Sequence, residues 1–246
     1  MTLDARLHAP RPTRLAVQAA ILAWLGCAAT AGALSAQVGY DPAHSPYRDI
    51  PGGGVAVVSA GYLGGSRGSV GVGLSNGATG GLRYEVSFGA VGASLGLAYG
   101  LTTRFVWIVD PTQAVPARRI GPVDNRVLLA DAGLQLVLTG RKTWHGFAPF
   151  VGAAIGLAAS SGVPRDTSGY DFGTKITLAP NVGLRWYPAR AISVRGDFRL
   201  VLWKLSYPLL YKVPNNIDGT SVLPSGAALS EWTAHPWGTI GVGWTF

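Results

Sequence analysis

Thr239-Ile240-Gly241-Val242-Gly243-Trp244-Thr245-Phe246 closes the sequence and decides how the rest is read. Ile240, Val242, Trp244 and Phe246 are large and apolar; Thr239, Gly241, Gly243 and Thr245 between them are small or weakly polar. A period of two marks a strand with two unlike faces. At the edge of a soluble sheet such a strand invites aggregation. A strand whose apolar face meets lipid does not have that problem. The stretch therefore predicts a membrane-spanning strand, provided the rest of the sequence supplies partners of the same kind.

The other end of the chain predicts export. Arg6, Arg11 and Arg14 precede an apolar run over residues 15–28, and small residues follow as Ala31-Gly32-Ala33 and Leu34-Ser35-Ala36. A charged segment, an apolar segment and a small-residue zone make a secretory signal peptide over 1–36. Cleavage after Ala36 is expected, with Ala33 as the alternative. The run is also apolar enough to serve as an uncleaved anchor. Trp24-Leu25-Gly26-Cys27 loosely resembles a lipoprotein cleavage box, with Trp24 a poor fit in its first position.

Cys27 is the only cysteine, so a processed chain holds no disulfide and no thiolate metal site. Charged residues are 13% of the chain, about half of what soluble domains carry. Hydrophobic residues reach 48%, yet no later segment is long and continuous enough for a helical span. High apolar content without long apolar runs is what a barrel wall produces, because lipid-facing and lumen-facing residues alternate. Losing Arg6, Arg11, Arg14 and Asp4 with the signal lowers the formal charge from +8 to +6. The basic residues are not clustered with aromatics on one segment, which argues against nucleic acid and for anionic lipid.

Between the ends, residues 37–53 carry Pro42, Pro46 and Pro51 and predict an irregular periplasmic lead-in. Residues 54–246 predict eight strands: 54–63, 81–88, 93–108, 126–139, 147–159, 176–187, 192–204 and the closing stretch. Residues 126–139 also fit an amphipathic helix, and strict alternation favours the strand. Pro180 predicts a bulge or frayed pairing inside its strand. Short turns near Gly89, Arg141 and Pro188 alternate with long loops near Ser69, Pro116, Thr167 and Asn216. In outer-membrane barrels short turns are periplasmic and long loops external. Trp144, Trp186 and Trp244 fall at short-turn ends, Trp107, Trp203 and Trp237 at long-loop ends, predicting two interfacial girdles.

The predicted class is an all-β, eight-stranded antiparallel transmembrane barrel, an up-and-down meander behind a signal peptide. Such a barrel is just wide enough for its inward side chains to fill it. Those include Arg83, Glu85, Asp131, Arg185, Arg195, Asp197 and Arg199, with Gln135 and Asn181. Opposite charges should be neighbours. The expected groupings are Glu85 and Asp131 with Arg83, and Asp197 with Arg185, Arg195 and Arg199. The network reads either as a satisfied plug or as a narrow polar path.

The Ile240–Phe246 ending resembles the closing strand of bacterial outer-membrane barrels, in which a terminal Phe is the assembly signal. In length, strand count, signal and girdles the mature chain resembles small eight-stranded barrels of the OmpA/OmpX/OmpW kind. The segment from Tyr40 to Ile50 (YDPAHSPYRDI) is similar to the lead-in of uncharacterised outer-membrane barrel proteins. These resemblances imply an integral bacterial outer-membrane protein, a monomer surrounded by lipid and lipopolysaccharide. They also imply recognition of Phe246 by the barrel-assembly machinery, and they carry over no catalytic residue, metal or cofactor.

Three roles are open. A structural or surface-interaction barrel would use loops 110–125 and 206–235, with Arg118 and Arg119 either on lipopolysaccharide phosphates or in solvent. A narrow transporter for small apolar molecules would use a lateral opening beside Pro180. A lipid-A-modifying enzyme would need His235 with Ser230 and Glu231 at the outer rim. His44 and His145 lie elsewhere, and the expectation is a non-enzymatic surface barrel.

Overall fold

The computed structural model describes residues 45–246, apart from 109, 111 and 165. The signal peptide, Cys27, His44 and the first part of the lead-in lie outside the described residues. Ten strands follow in order: β1 (Tyr47–Asp49), β2 (Gly54–Leu63), β3 (Ser75–Phe88), β4 (Val91–Trp107), β5 (Arg119–Val137), β6 (Lys142–Trp144), β7 (Phe147–Ser160), β8 (Gly173–Ala189), β9 (Ile192–Ser206) and β10 (Ser230–Thr245). All but β1 and β6 form the wall. Each wall strand pairs antiparallel with the next, and β10 returns to β2 from Trp237↔Leu63 to Thr245↔Val55. The ring is an eight-stranded up-and-down barrel.

The alternation read in the sequence places the side chains. Val58, Leu82, Leu95, Leu97, Leu134, Ile155, Phe198 and Ile240 point outward, and each is more than half exposed. A continuous apolar belt of this kind far exceeds the patches that soluble monomers show. Its solvent is hydrocarbon, where every unpaired backbone group costs several kcal/mol and only a closed ring is tolerated. The barrel therefore spans a membrane. Residues 126–139 lie in and just beyond β5, a strand and not a helix.

The structure corrects several boundaries. β3 begins at Ser75, six residues before the predicted start, and β10 at Ser230, nine before it. β5 begins at Arg119, inside the predicted 110–125 loop. The β4–β5 ladder shifts register between Arg104 and Val106, and this bulge absorbs Gly121 and Pro122. These extensions stand beyond the apolar belt, where alternation is no longer imposed by lipid, so the sequence pattern fades before the ladder does. Pro180 causes no register shift: the β8–β9 ladder skips Ala179 and Pro180 and resumes at Asn181↔Arg199, a fray rather than a bulge.

The lead-in is not irregular throughout. β1 pairs with β6 from Tyr47↔Trp144 to Asp49↔Lys142, and the Thr143 hydroxyl donates to the Arg48 carbonyl at 3.2 Å. Ile50 and Tyr187 pack on a small cluster of Val137, Ala148 and Phe150 at this short-turn end. The segment thus folds against the barrel's short-turn end.

Candidate functional site

The lumen holds the chemistry, and it is layered. In its middle, seven side chains form one chain of alternating charge: Arg83, Asp131, Arg199, Asp197, Arg195, Glu85, Arg185. Arg83 meets Asp131 at 3.1 Å, and Arg199 meets the other Asp131 oxygen at 3.1 Å. Asp197 accepts from Arg199 and Arg195, each at 2.8 Å. Glu85 binds Arg195 on one oxygen and Arg185, at 2.7 Å, on the other. Each carboxylate serves two guanidiniums, and Gln135 adds an acceptor for Arg195 at 3.1 Å.

The strands explain these contacts. Arg195, Asp197 and Arg199 share a face because they are two apart on β9. Arg185 on β8 is directly opposite Arg195, two like charges that Glu85 bridges from β3. Gly96 leaves room for the Arg83–Asp131 pair, whose atoms lie 2.8–2.9 Å from where its Cβ would be. Opposite signs are neighbours as expected, but two groupings differ from the expected ones. Glu85 bonds Arg185 and Arg195 rather than Arg83, and Arg185 bonds Glu85 rather than Asp197. Both contacts cross the lumen, and adjacency along the sheet does not encode them.

Aromatic rings bracket the charges. Arg195 and Arg185 lie 4.2 and 5.2 Å from the Phe150 centroid on one side, and Arg199 lies 5.1 Å from Trp237 on the other. The void left among Arg83, Asp131, Arg195, Asp197 and Trp237 is about 20 Å³, no larger than one water molecule.

Toward the long loops the lumen turns apolar. Loop 64–74 sends Val70, Val72 and Leu74 inward, and loop 207–229 contributes Tyr207, Tyr211 and Leu223. They pack on Trp107, Trp203 and Trp237, which are 6%, 0% and 4% exposed. These three tryptophans therefore do not form the outer girdle. Trp203 and Trp237 have the inward parity of Arg199 and Gly241, and strand face overrides strand end. The exposed outer aromatics are Tyr62, Tyr99 and Trp232; at the short-turn end Trp144, Trp186 and Trp244 are exposed, as is Phe246. Phe246 stacks on Tyr84 with centroids 6.1 Å apart.

One ion pair interrupts the apolar layer, and nothing in the sequence spacing announced it. Arg104 of β4 bonds Asp166 of the β7–β8 loop at 2.7 Å, with both side chains almost fully buried. Asp166 also accepts from Ser168, whose hydroxyl lies 2.9 Å from that of Tyr211. Burial pushes the Tyr211 and Tyr170 phenols well above their ordinary range. Burial, with the bond to Glu231, pushes Tyr207 up to about 12.

His235 is fully buried on the lumen face of β10, stacked on Trp203 at 3.8 Å. Its nitrogens face Thr233 Oγ1 at 2.9 Å and the Gly64 carbonyl at 3.3 Å. Glu231 instead accepts from Ser69 and Tyr207. The sequence-predicted grouping of Ser230, Glu231 and His235 is not assembled: Glu231 and His235 share a face of β10 but stand four residues apart with other partners, and Ser230 has the opposite parity. Arg118 is likewise buried, its Nε donating to the Ile108 carbonyl at 2.9 Å, whereas Arg119 is exposed.

No protein-family model and no curated protein matches the sequence. Solved structures do match in strand arrangement. Neisserial surface protein A is 13% identical, with 78% of this chain and 97% of that one covered and a TM-score of 0.46. The outer membrane protein OprG from Pseudomonas aeruginosa is 14% identical, with 80% and 99% covered and a TM-score of 0.48.

Proposed function

We propose that this protein is an integral bacterial outer-membrane barrel with a closed lumen, acting through its surface rather than by conduction. The observation that carries the reading is the filled interior. The seven-residue charge chain leaves a void of about 20 Å³, and an aromatic layer folded in from the long loops covers it. A conducting path needs a continuous wet passage, and two successive layers oppose one here. An outer-membrane location follows from the closed barrel with an apolar belt, the form in which strands cross a membrane. The fray beside Pro180 does not favour a transporter, because Ala179 and Val201 behind it are buried in the apolar core.

The test is single-channel recording of the refolded full chain in a planar bilayer, after its gel mobility has shifted on heating. Silence across a wide voltage range is expected. Discrete, reproducible conductance steps would sink the closed-lumen reading.

A further inference from the structure

The outer rim carries a cleft that the closed lumen does not explain. It is open to solvent, about 410 Å³ between loop 64–74, the tip of the β4–β5 hairpin and Val222 of the β9–β10 loop. Arg67, Phe105 and Arg119 line it, with the glycine-rich backbone from Gly68 to Gly71. The Arg119 guanidinium lies 3.6 Å from the Phe105 centroid and that of Arg67 5.2 Å from it. One ring therefore gathers two like charges. Neither is ion-paired with a carboxylate among the described residues. Arg67 donates from Nη2 to Thr103 Oγ1 at 2.8 Å, and its buried Nε has no acceptor. Glu231, the nearby acid, is already bonded to Ser69 and Tyr207.

This arrangement differs from the lumen, where every guanidinium has its carboxylate. Two neighbouring guanidiniums without a carboxylate attract an oxyanion, and guanidinium forks match phosphate geometry. The space exceeds that of a bare ion and admits the sugar bearing it. Arg119 is exposed and Phe105 half-buried at the hairpin tip, and the buried Trp107 forms the inner wall of the cleft.

We infer that Arg67 and Arg119 bind a phosphate ester on a saccharide, presented by the lipopolysaccharide head groups around the barrel. The inference rests on the reading that the long loops face the cell exterior. It does not depend on whether the lumen conducts, so the two tests fail separately.

The experiment is calorimetric titration of the refolded full chain in detergent micelles. The probes are lipopolysaccharide with a phosphorylated core, the same material dephosphorylated, and inositol hexaphosphate. The phosphorylated form should bind at least tenfold more tightly than the dephosphorylated one. R67Q/R119Q should lose tenfold or more, each single variant about threefold, while R126Q, an exposed rim change outside the cleft, stays within twofold. Competition by inositol hexaphosphate would show that a free phosphate ester suffices; its absence beside intact lipopolysaccharide binding would assign the site to the lipid-borne form. Equal binding of dephosphorylated material, unchanged binding by the folded single or double variants, or an equal loss in R126Q would overturn the inference. Heat-shifted gel mobility verifies the fold of each variant.

Discussion

The two layers of the lumen are built on the same strand and held by opposite means. On β9, Arg195, Asp197 and Arg199 enter the charged layer, and Val201, Trp203 and Leu205 two residues at a time enter the apolar one. The charged layer needs no loop: β3, β5, β8 and β9 supply all seven of its ionised members. The apolar layer is incomplete without loops 64–74 and 207–229. A mid-membrane lumen is remote from water, so its polar groups must satisfy one another, and that fixes geometry. Near the surface, loops are available and close packing suffices. The charged layer should therefore be the less forgiving of the two.

Glu85→Gln tests this most severely. It leaves Arg185 and Arg195 facing each other without their shared carboxylate, and breaking a buried pair in this way costs about 4 kcal/mol. The urea midpoint in lipid vesicles should fall accordingly. Trp203→Ala removes the most completely buried tryptophan of the apolar layer and should cost about 3 kcal/mol by the same measurement. A larger loss for Trp203→Ala than for Glu85→Gln would reverse the ranking. Asp166→Asn leaves the fully buried Arg104 without its counter-charge and should cost about 3 kcal/mol by the same measurement. Protease cleavage within loop 161–172 should rise in that variant and stay unchanged in Glu85→Gln. Phe246→Ala touches neither layer. Losing its stack on Tyr84 should move the midpoint by about 1 kcal/mol, and a larger shift would mean that the β2–β10 seam depends on it.

The wall was legible because lipid enforces the period of two. Leu82, Leu97 and Ile240 announce their faces without any partner being known. Parity also carried more than the girdle expectation used: Trp203 lies four residues from Arg199 and Trp237 four from Gly241, so both belong inside. Partners within the lumen were legible only in part: Asp131 meets Arg83, and Asp197 meets Arg195 and Arg199, as grouped from the sequence, but the contacts of Glu85 were not. Glu85 reaches Arg185 and Arg195 across the ring, and the separation along the chain carries no trace of that. Arg104 and Asp166 are hidden for a related reason, since the loop that brings them together follows no period. The cleft at Arg67 and Arg119 depends on a bulge and a glycine turn, neither of which alternation records.

The charge chain has a further consequence. In the ring, β3 and β8 are four strands apart in either direction, and Glu85 of one grips Arg185 of the other. Asp131 of β5 is tied to Arg199 of β9 on a second chord. A hollow cylinder under sideways load yields first by going oval, because hinging at the strand seams is easy. Ties across the bore resist that mode directly. The same residues that fill the lumen thus brace its cross-section against the changing lateral pressure of the surrounding bilayer.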